Sequence, residues 1–309
     1  MTSPYYKNKF VFLSLAVLIM SVGFFIGQST SGKETEVEKD YPQNYQIISP
    51  AIPKETDFCG ERTPLENYEV RERLDRELVV NTYWHSFTLL TIKRANRWFP
   101  VIEPILKKNN IPVDFKFLAL IESGFEQVTS PAGAVGFWQF TEFSARQYGL
   151  EVNAEVDERY NIEKSTQAAC DYLNYAYSKF KSWTLAAASY NFGVSGIEKQ
   201  VTRQREKDYY KMLFGTETSR YILRIIAMKE ILKNPARYGF SIKDADLYQP
   251  IETYDIEVDS SIKDLALFAI QKGYNYKILK NFNPWLRDNV LPNKSAKKYI
   301  IKFPKDSNI

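Results

Sequence analysis

Residues 114–122, DFKFLALIE, followed by Ser123 and, ten residues on, by GAVGFWQF at 133–140, form the stretch whose reading decides the fold. Phe115, Leu118, Ala119 and Glu122 recur at i, i+3, i+4 and i+7, which places them on one face of a helix. Phe117, Leu120 and Ile121 make the opposite face apolar as well. A helix that is apolar all round is buried. Its terminal Glu122 then stands against a hydrophobic wall, where desolvation disfavours the charged carboxylate and raises its pKa. Such a carboxyl can act as a general acid near neutral pH. The segment after it, Ser130-Pro-Ala-Gly-Ala-Val-Gly136, is rich in turn formers and can approach a ligand closely. Phe137-Trp-Gln-Phe140 then brings aromatic faces and, in Gln139, one acceptor and two donors.

The surrounding chain is patterned as helices. Residues 68–98 carry one apolar row (Val70, Leu74, Leu78, Asn81, His85) with RERLDRE on the solvated side. Pro100 and Pro104 are expected to break the chain after it, and IPVDF restarts it at Pro112. Residues 162–180 repeat at helical spacing through Ile162, Ala169, Leu173, Ala176 and Phe180. Residues 183–190 (WTLAAASY) are small and apolar, with Asn191 and Gly193 as a helix end. Residues 217–232 form a further helix bearing Tyr221. The character changes near Asp244. Residues 253–258 alternate like a strand, 261–273 and 276–286 read as short helices, and 297–303 as a closing strand.

Four ordered motifs give this pattern a family likeness: Glu122-Ser123, GAVGFWQF (133–140), ASYNFG (188–193) and ETSRYILRIIA (217–227), with DERYNIEKSTQAACDYL (157–173) between the second and third. Together they resemble the soluble-lytic-transglycosylase (SLT) family and, in arrangement, its membrane-bound lytic murein transglycosylase D group. The resemblance implies a mainly α, lysozyme-like catalytic domain over 58–243. The strand-helix-helix-strand segment 244–309 resembles a degenerate LysM module, on pattern and an Asn283-Pro284 turn. The implied activity is cleavage of the β-1,4 bond between N-acetylmuramic acid and N-acetylglucosamine in peptidoglycan, forming 1,6-anhydromuramyl ends. Glu122 would serve as acid and then as base. The same resemblance makes Ser123 a supporting hydrogen-bonder, Gln139 and Asn191 saccharide ligands, and Tyr190 and Tyr221 the residues that set the environment of Glu122. No cofactor or metal is implied. Phe137 stands where many relatives carry Leu or Met, and Phe192 where many carry Ala, departures that bear on subsite preference. Glycoside hydrolysis ordinarily needs two carboxylates, and Glu122 is the one well-placed candidate. A lysozyme-like hydrolase on the same fold and a non-catalytic cell-wall-binding protein remain the alternatives.

Composition narrows the classes further. The chain has 309 residues, 44% hydrophobic and 25% charged, as an ordinary globular protein of one or two domains does. A net charge of +4 suits an acidic polymer but is too small to argue for nucleic acid. The single histidine, His85, cannot build a metal site and leaves a Ser-His-Asp or Cys-His centre only one residue to use. Cys59 and Cys170 are read as free thiols, although export would permit a disulfide. Lys7 and Lys9 precede an uncharged apolar run at 10–27, either a cleaved export signal or an uncleaved membrane anchor. Residues 28–57, polar and aperiodic, read as a linker. The expected location is the periplasm or cell envelope, with peptidoglycan strands as partner, the membrane as a second partner if the run is retained, and no nucleic acid.

Overall fold

A short hairpin and one largely buried helix organise the computed structural model, which describes residues 47–306. The hairpin joins β1 (Asp57–Phe58) to β2 (Glu61–Arg62), turning through Cys59 and Gly60 at positive φ. α1 (Tyr68–Tyr83) follows, capped by the Asn67 side chain on the backbone N–H of Glu69. Then come α2 (His85–Lys108), a 3₁₀ turn (Val113–Phe115), α3 (Lys116–Ser123) and α4 (Glu142–Gln147). α5 (Ile162–Phe180), α6 (Trp183–Phe192), α7 (Val194–Gln204) and α8 (Thr216–Lys233) complete the helical part. The mainly α expectation holds, and the 162–180 helix has its expected bounds. Among the described residues no helix is long and apolar enough to cross a membrane. The apolar run at 10–27 and most of the linker at 28–57 lie outside the described residues.

Residues 68–98 are not one helix. The chain breaks at Trp84 (φ −85, ψ 60), so the apolar row ends at Asn81 and His85 is exposed at the start of α2. Trp84 instead stacks on Phe87 at 4.3 Å. The expected break at the prolines is absent, because Pro100 and Pro104 lie inside α2. Each removes a hydrogen bond to the carbonyl four residues back. Both prolines are exposed, so the freed carbonyls lie on the solvent side of the helix. The buried stripe Ile92, Ala95, Ile102 and Leu106 holds the opposite side in place.

α8 packs against α1, α3 and α6 and buries Tyr221, Ile222, Leu223, Ile225, Ile226, Met228 and Ile231. Near its C-terminal end the buried Lys229 donates to Asp114 Oδ2 at 2.6 Å and to Asp57 Oδ1 at 3.1 Å. Asp114 also accepts from the Cys59 N–H at 2.9 Å. Lys229 thereby ties the hairpin and the start of α3 to the central helix. Lys229→Met should cost about 2 kcal/mol, less than the ~3–5 for breaking a fully buried pair, because Asp57 stays nearly half exposed; a shift of the urea midpoint checks it. Cys59 and Cys170 are free. Burial pushes both thiols up, Cys170 to about 12.

The C-terminal module pairs β3 (Thr253–Val258) antiparallel with β4 (Tyr299–Pro304), from Thr253 opposite Pro304 to Val258 opposite Tyr299. Between them lie α9 (Leu265–Gln271) and α10 (Tyr276–Phe282), both shorter than the expected 261–273 and 276–286. α9 starts late because Asp264 caps it, while Ile262 pairs with Leu291 in an isolated bridge. α10 ends early because Asn283 turns its amide onto the carbonyls of Leu279 and Lys302, at 2.9 and 2.8 Å.

The module is joined to the helical part along one seam. The Asp157 N–H donates to the Trp285 carbonyl at 2.9 Å, and the Arg287 N–H to the Glu155 carbonyl at 2.7 Å. Lys297 pairs with Glu151 at 2.5 Å and Glu158 at 3.1 Å, and Tyr299 Oη donates to Glu151 at 2.9 Å. Val135, Val156 and Tyr160 share an apolar cluster with Leu286, Ile301 and Phe303.

Candidate active site

α3 ends where Gly124 takes the left-handed conformation (φ 59). Phe117, Leu118, Ala119 and Leu120 are buried, and Glu122 and Ser123 stand half-buried at the last turn. The Ser123 hydroxyl lies 3.2 Å from the Ala119 carbonyl and 3.0 Å from the Phe137 carbonyl, and accepts from the Phe125 N–H at 3.1 Å. This one side chain fastens the helix end to the segment at 133–140.

Glu122 Oε1 accepts a hydrogen bond from Tyr221 Oη, reaching α8 across 99 residues of sequence. Burial raises the Glu122 pKa. The Tyr221 hydrogen bond and the Arg224 charge work against that rise, and Glu217 adds to it. The phenols of Tyr221 and Tyr190 are themselves driven well up, first by burial and then by the Glu122 charge. Both stay protonated, and Tyr221 stays a donor.

The other sequence-derived candidates sit around this pair. Tyr190 Oη donates to the Trp138 carbonyl at 2.7 Å, so its polar end holds the 133–140 segment from the α6 side. Gln139 has φ 49, and its Nε2 donates to the carbonyls of Gly136 at 2.8 Å and Val128 at 3.2 Å. Both donors are spent on backbone, which leaves Oε1 as the acceptor it can offer. Asn191 is exposed on the penultimate residue of α6, and its Oδ1 accepts from Thr218 Oγ1 at 2.9 Å. Its Nδ2 donors face no partner among the described residues. The direct links are therefore Glu122–Tyr221, Ser123–Phe137, Tyr190–Trp138 and Asn191–Thr218, and they join α3, the 133–140 segment, α6 and α8 into one ring.

The expectation that Phe137 and Trp138 offer open faces is corrected. Phe137 is 2% exposed and Trp138 0%, and the Trp138 indole N–H is taken by Thr166 Oγ1 at 2.9 Å. They are core, and Gln139 follows them in the chain. Sequence reasoning left Thr218, Glu217 and Arg224 without roles, although they lie in the ETSRY stretch. Thr218 and Arg224 are three residues either side of Tyr221, and Glu217 four before it. That spacing puts them on its face and could have found them.

The loop at 130–136 is braced from below. Arg159 is clamped by Asp157 at 2.9 and 2.7 Å and donates to the carbonyls of Gly133 at 3.1 Å and Phe140 at 3.3 Å. Gly136, at φ +77, sits so close that a Cβ there would lie 2.3 Å from the Arg159 carbonyl oxygen. The loop thus rests on residues 157–160, which the C-terminal module itself contacts.

A mainly helical fold with one half-buried, tyrosine-bound glutamate defines a class, and comparison with known proteins names its parts. Residues 99–213 match the transglycosylase SLT domain, and residues 254–307 match the soluble lytic transglycosylase C-terminal LysM-like domain. The chain carries an SLT domain followed by a small LysM-like domain with a short antiparallel sheet. It is 29% identical over 253 residues to membrane-bound lytic murein transglycosylase D of Escherichia coli strain K12, covering 79% of this chain and 54% of that protein. The same figures hold for the protein of that name from an O6:H1 strain of Escherichia coli. A putative tributyltin chloride resistance protein of an Alteromonas species is 27% identical over 127 residues, 40% of this chain and 61% of that one. The chain thus spans about half the length of the Escherichia coli relatives it matches.

Proposed function

We propose that this chain is a peptidoglycan lytic transglycosylase, cleaving between N-acetylmuramic acid and N-acetylglucosamine with Glu122 as the only proton-transfer group. The observation that carries this reading is the Glu122 carboxyl: half-buried at the end of an apolar helix, raised in pKa, and aimed by Tyr221. Its proton passes to the bridging oxygen as the bond from the muramyl C1 breaks. The resulting carboxylate takes the proton of the muramyl 6-hydroxyl, whose oxygen bonds to C1. No water is consumed, and the product is a 1,6-anhydro end. The substrate's own N-acetyl group helps to stabilise the intermediate.

Ser123 holds the Glu122 turn, and the Gln139 Oε1 acceptor and Asn191 Nδ2 donors suit sugar hydroxyl and N-acetyl groups. Tyr190 acts through the Trp138 carbonyl, as a positioning residue. The protein works outside the cytoplasm, delivered by the apolar run at 10–27, with domain limits at 58–243 and 244–309.

One observation favours a hydrolase instead. Glu217 is a second carboxylate whose charge reaches Glu122. It is exposed and paired with Arg224 at 3.0 Å, an arrangement of a fixed counter-charge rather than a free base. Mass spectrometry of muropeptides released by the purified protein separates the readings. Products lighter by one water support the transglycosylase, reducing ends the hydrolase. Binding without release would remove the catalytic role of Glu122.

The pH profile tests the tyrosine. Tyr221 lowers the Glu122 pKa by stabilising its carboxylate. In Tyr221→Phe that pKa rises further, so the protonated acid persists to higher pH. The alkaline limb of kcat/KM should move up in pH, with the maximum lower by about tenfold for one lost charge-assisted hydrogen bond. An unmoved limb would show that Tyr221 does not touch the acid in solution.

A further inference from the structure

A well-formed cavity lies apart from Glu122. It measures about 750 Å³ and lies between α2, the back of the 125–137 segment, residues 160–163 and the C-terminal module. That size is within the range of small-ligand sites. Its inner wall is aromatic: Trp98 meets Phe137 edge-on at 5.3 Å, Phe125 lies 5.3 Å from Phe137, and Trp285 closes the module side. The Phe137 backbone carbonyl is the one that holds Ser123, so this wall is also the back of the Glu122 turn.

The rim is cationic. Arg97, Lys277, Lys280 and Lys302 line the cavity, against one acid, Glu163. Lys302 is matched by Glu163 at 3.3 Å and Asp255 at 3.2 Å. Among the described residues no carboxylate lies within ion-pair distance of the other three. Arg97 donates to the Gln249 carbonyl at 3.0 Å and stacks over Tyr248. Lys280 donates to the carbonyls of Leu286 and Asp288, and the Asp288 charge acts on it from beyond ion-pair distance. Burial, with Arg287 beside it, holds the Lys280 pKa down. Asn275 and Asn281 add amides at the same rim, and the Asn275 Oδ1 is taken by its helix cap, so its donors face outward. Cations with no carboxylate at ion-pair distance, above an aromatic wall, fit a ligand with carboxylates on a body of small apolar groups.

We propose that this cavity is a binding site for a short, carboxylate-bearing peptide, of the kind attached to the muramyl residues of peptidoglycan. The identity of the peptide rests on the reading under Proposed function; the charge and shape of the cavity do not. The carboxylates take Arg97, Lys277 and Lys280, and the methyl-bearing part lies against Trp98. The site then recognises the peptide while Glu122 acts on the glycan.

Calorimetry on the full chain carrying Glu122→Gln, which leaves the cavity intact, tests this with a free stem tetrapeptide and its fully amidated form. The acidic peptide should bind, the amidated one at least about tenfold more weakly, and salt should weaken the first alone. Lys277→Glu reverses a charge on an exposed side chain that has no hydrogen-bond or ion-pair partner among the described residues, so folding is spared; it should weaken the acidic peptide by about tenfold or more. Equal affinity for the two peptides, no binding of either, or indifference to Lys277→Glu would overturn the proposal. Cleavage of peptide-free glycan by the unsubstituted protein is read separately. Peptide binding without glycan cleavage would sink the catalytic reading and keep this one; cleavage without peptide binding would do the reverse.

Discussion

Glu122→Gln should lower the rate of peptidoglycan solubilisation by about 10²–10⁴-fold, the usual contribution of a positioned general acid–base group. Shape and hydrogen-bonding reach are kept, since the amide oxygen can still accept from Tyr221. Only the proton is removed. The same variant should be more stable than the unsubstituted protein at pH 7. Glu122 has its folded pKa raised above the ordinary 4.5, so the folded state favours the protonated form. The stability that proton contributes is present below the unfolded value and lost as pH rises through the folded pKa. At neutral pH the charged carboxylate is therefore a burden that glutamine does not carry. The gap in melting temperature should close as pH falls below about 4.5. Loss of activity together with loss of stability at pH 7 would mean that the residue is structural. Gain of stability with loss of activity is the signature of a site built against the stability of its own fold. A variant that dissolves cell walls at the unsubstituted rate would end the assignment of Glu122.

Gly136→Ala is expected to be the most damaging glycine-to-alanine substitution among the described residues. The new methyl would lie 2.3 Å from the Arg159 carbonyl oxygen and 3.1 Å from its carbon. The neighbour is backbone, and it cannot swing away, because the Arg159 side chain is clamped by Asp157 and bonded to the carbonyls of Gly133 and Phe140. Alanine is also strained at φ +77. Strain and overpacking each cost about 1–3 kcal/mol, so a loss of about 4 kcal/mol is expected in urea unfolding. Activity should fall further than stability does, since the Gly136 carbonyl is what holds the Gln139 amide at 2.8 Å. An unchanged unfolding midpoint would show that the 133–140 segment does not rest on Arg159.

The bracing of that segment gives the C-terminal module a structural consequence. Trp285 receives the Asp157 N–H, Asp157 clamps Arg159, and Arg159 holds the loop beneath Gln139. Lys297 and Tyr299 fasten the same strip through Glu151 and Glu158. From sequence the module read as a degenerate LysM module. Its interface is in fact continuous with the support of the candidate site.

What the sequence determined by itself was whatever short-range patterning can encode. The period of the apolar residues set α3, α5, α6 and α8 close to their observed bounds, because burial of one face is a local rule. It also placed Glu122 at the end of an apolar helix, and so its raised pKa. Local rules misjudged α2, where Pro100 and Pro104 continue the helix because the exposed side of the fold accepts their freed carbonyls. They offered Trp138 as a platform, when Thr166 and the core had already taken both its face and its N–H. Only the tertiary structure decided that Tyr221 meets Glu122, that Thr218 takes the oxygen of Asn191, and that Asp157 and Arg159 carry the loop. Those pairings join side chains from elements far apart in the chain. Their geometry follows from how α3, α6 and α8 pack, and no periodicity within a single element records it.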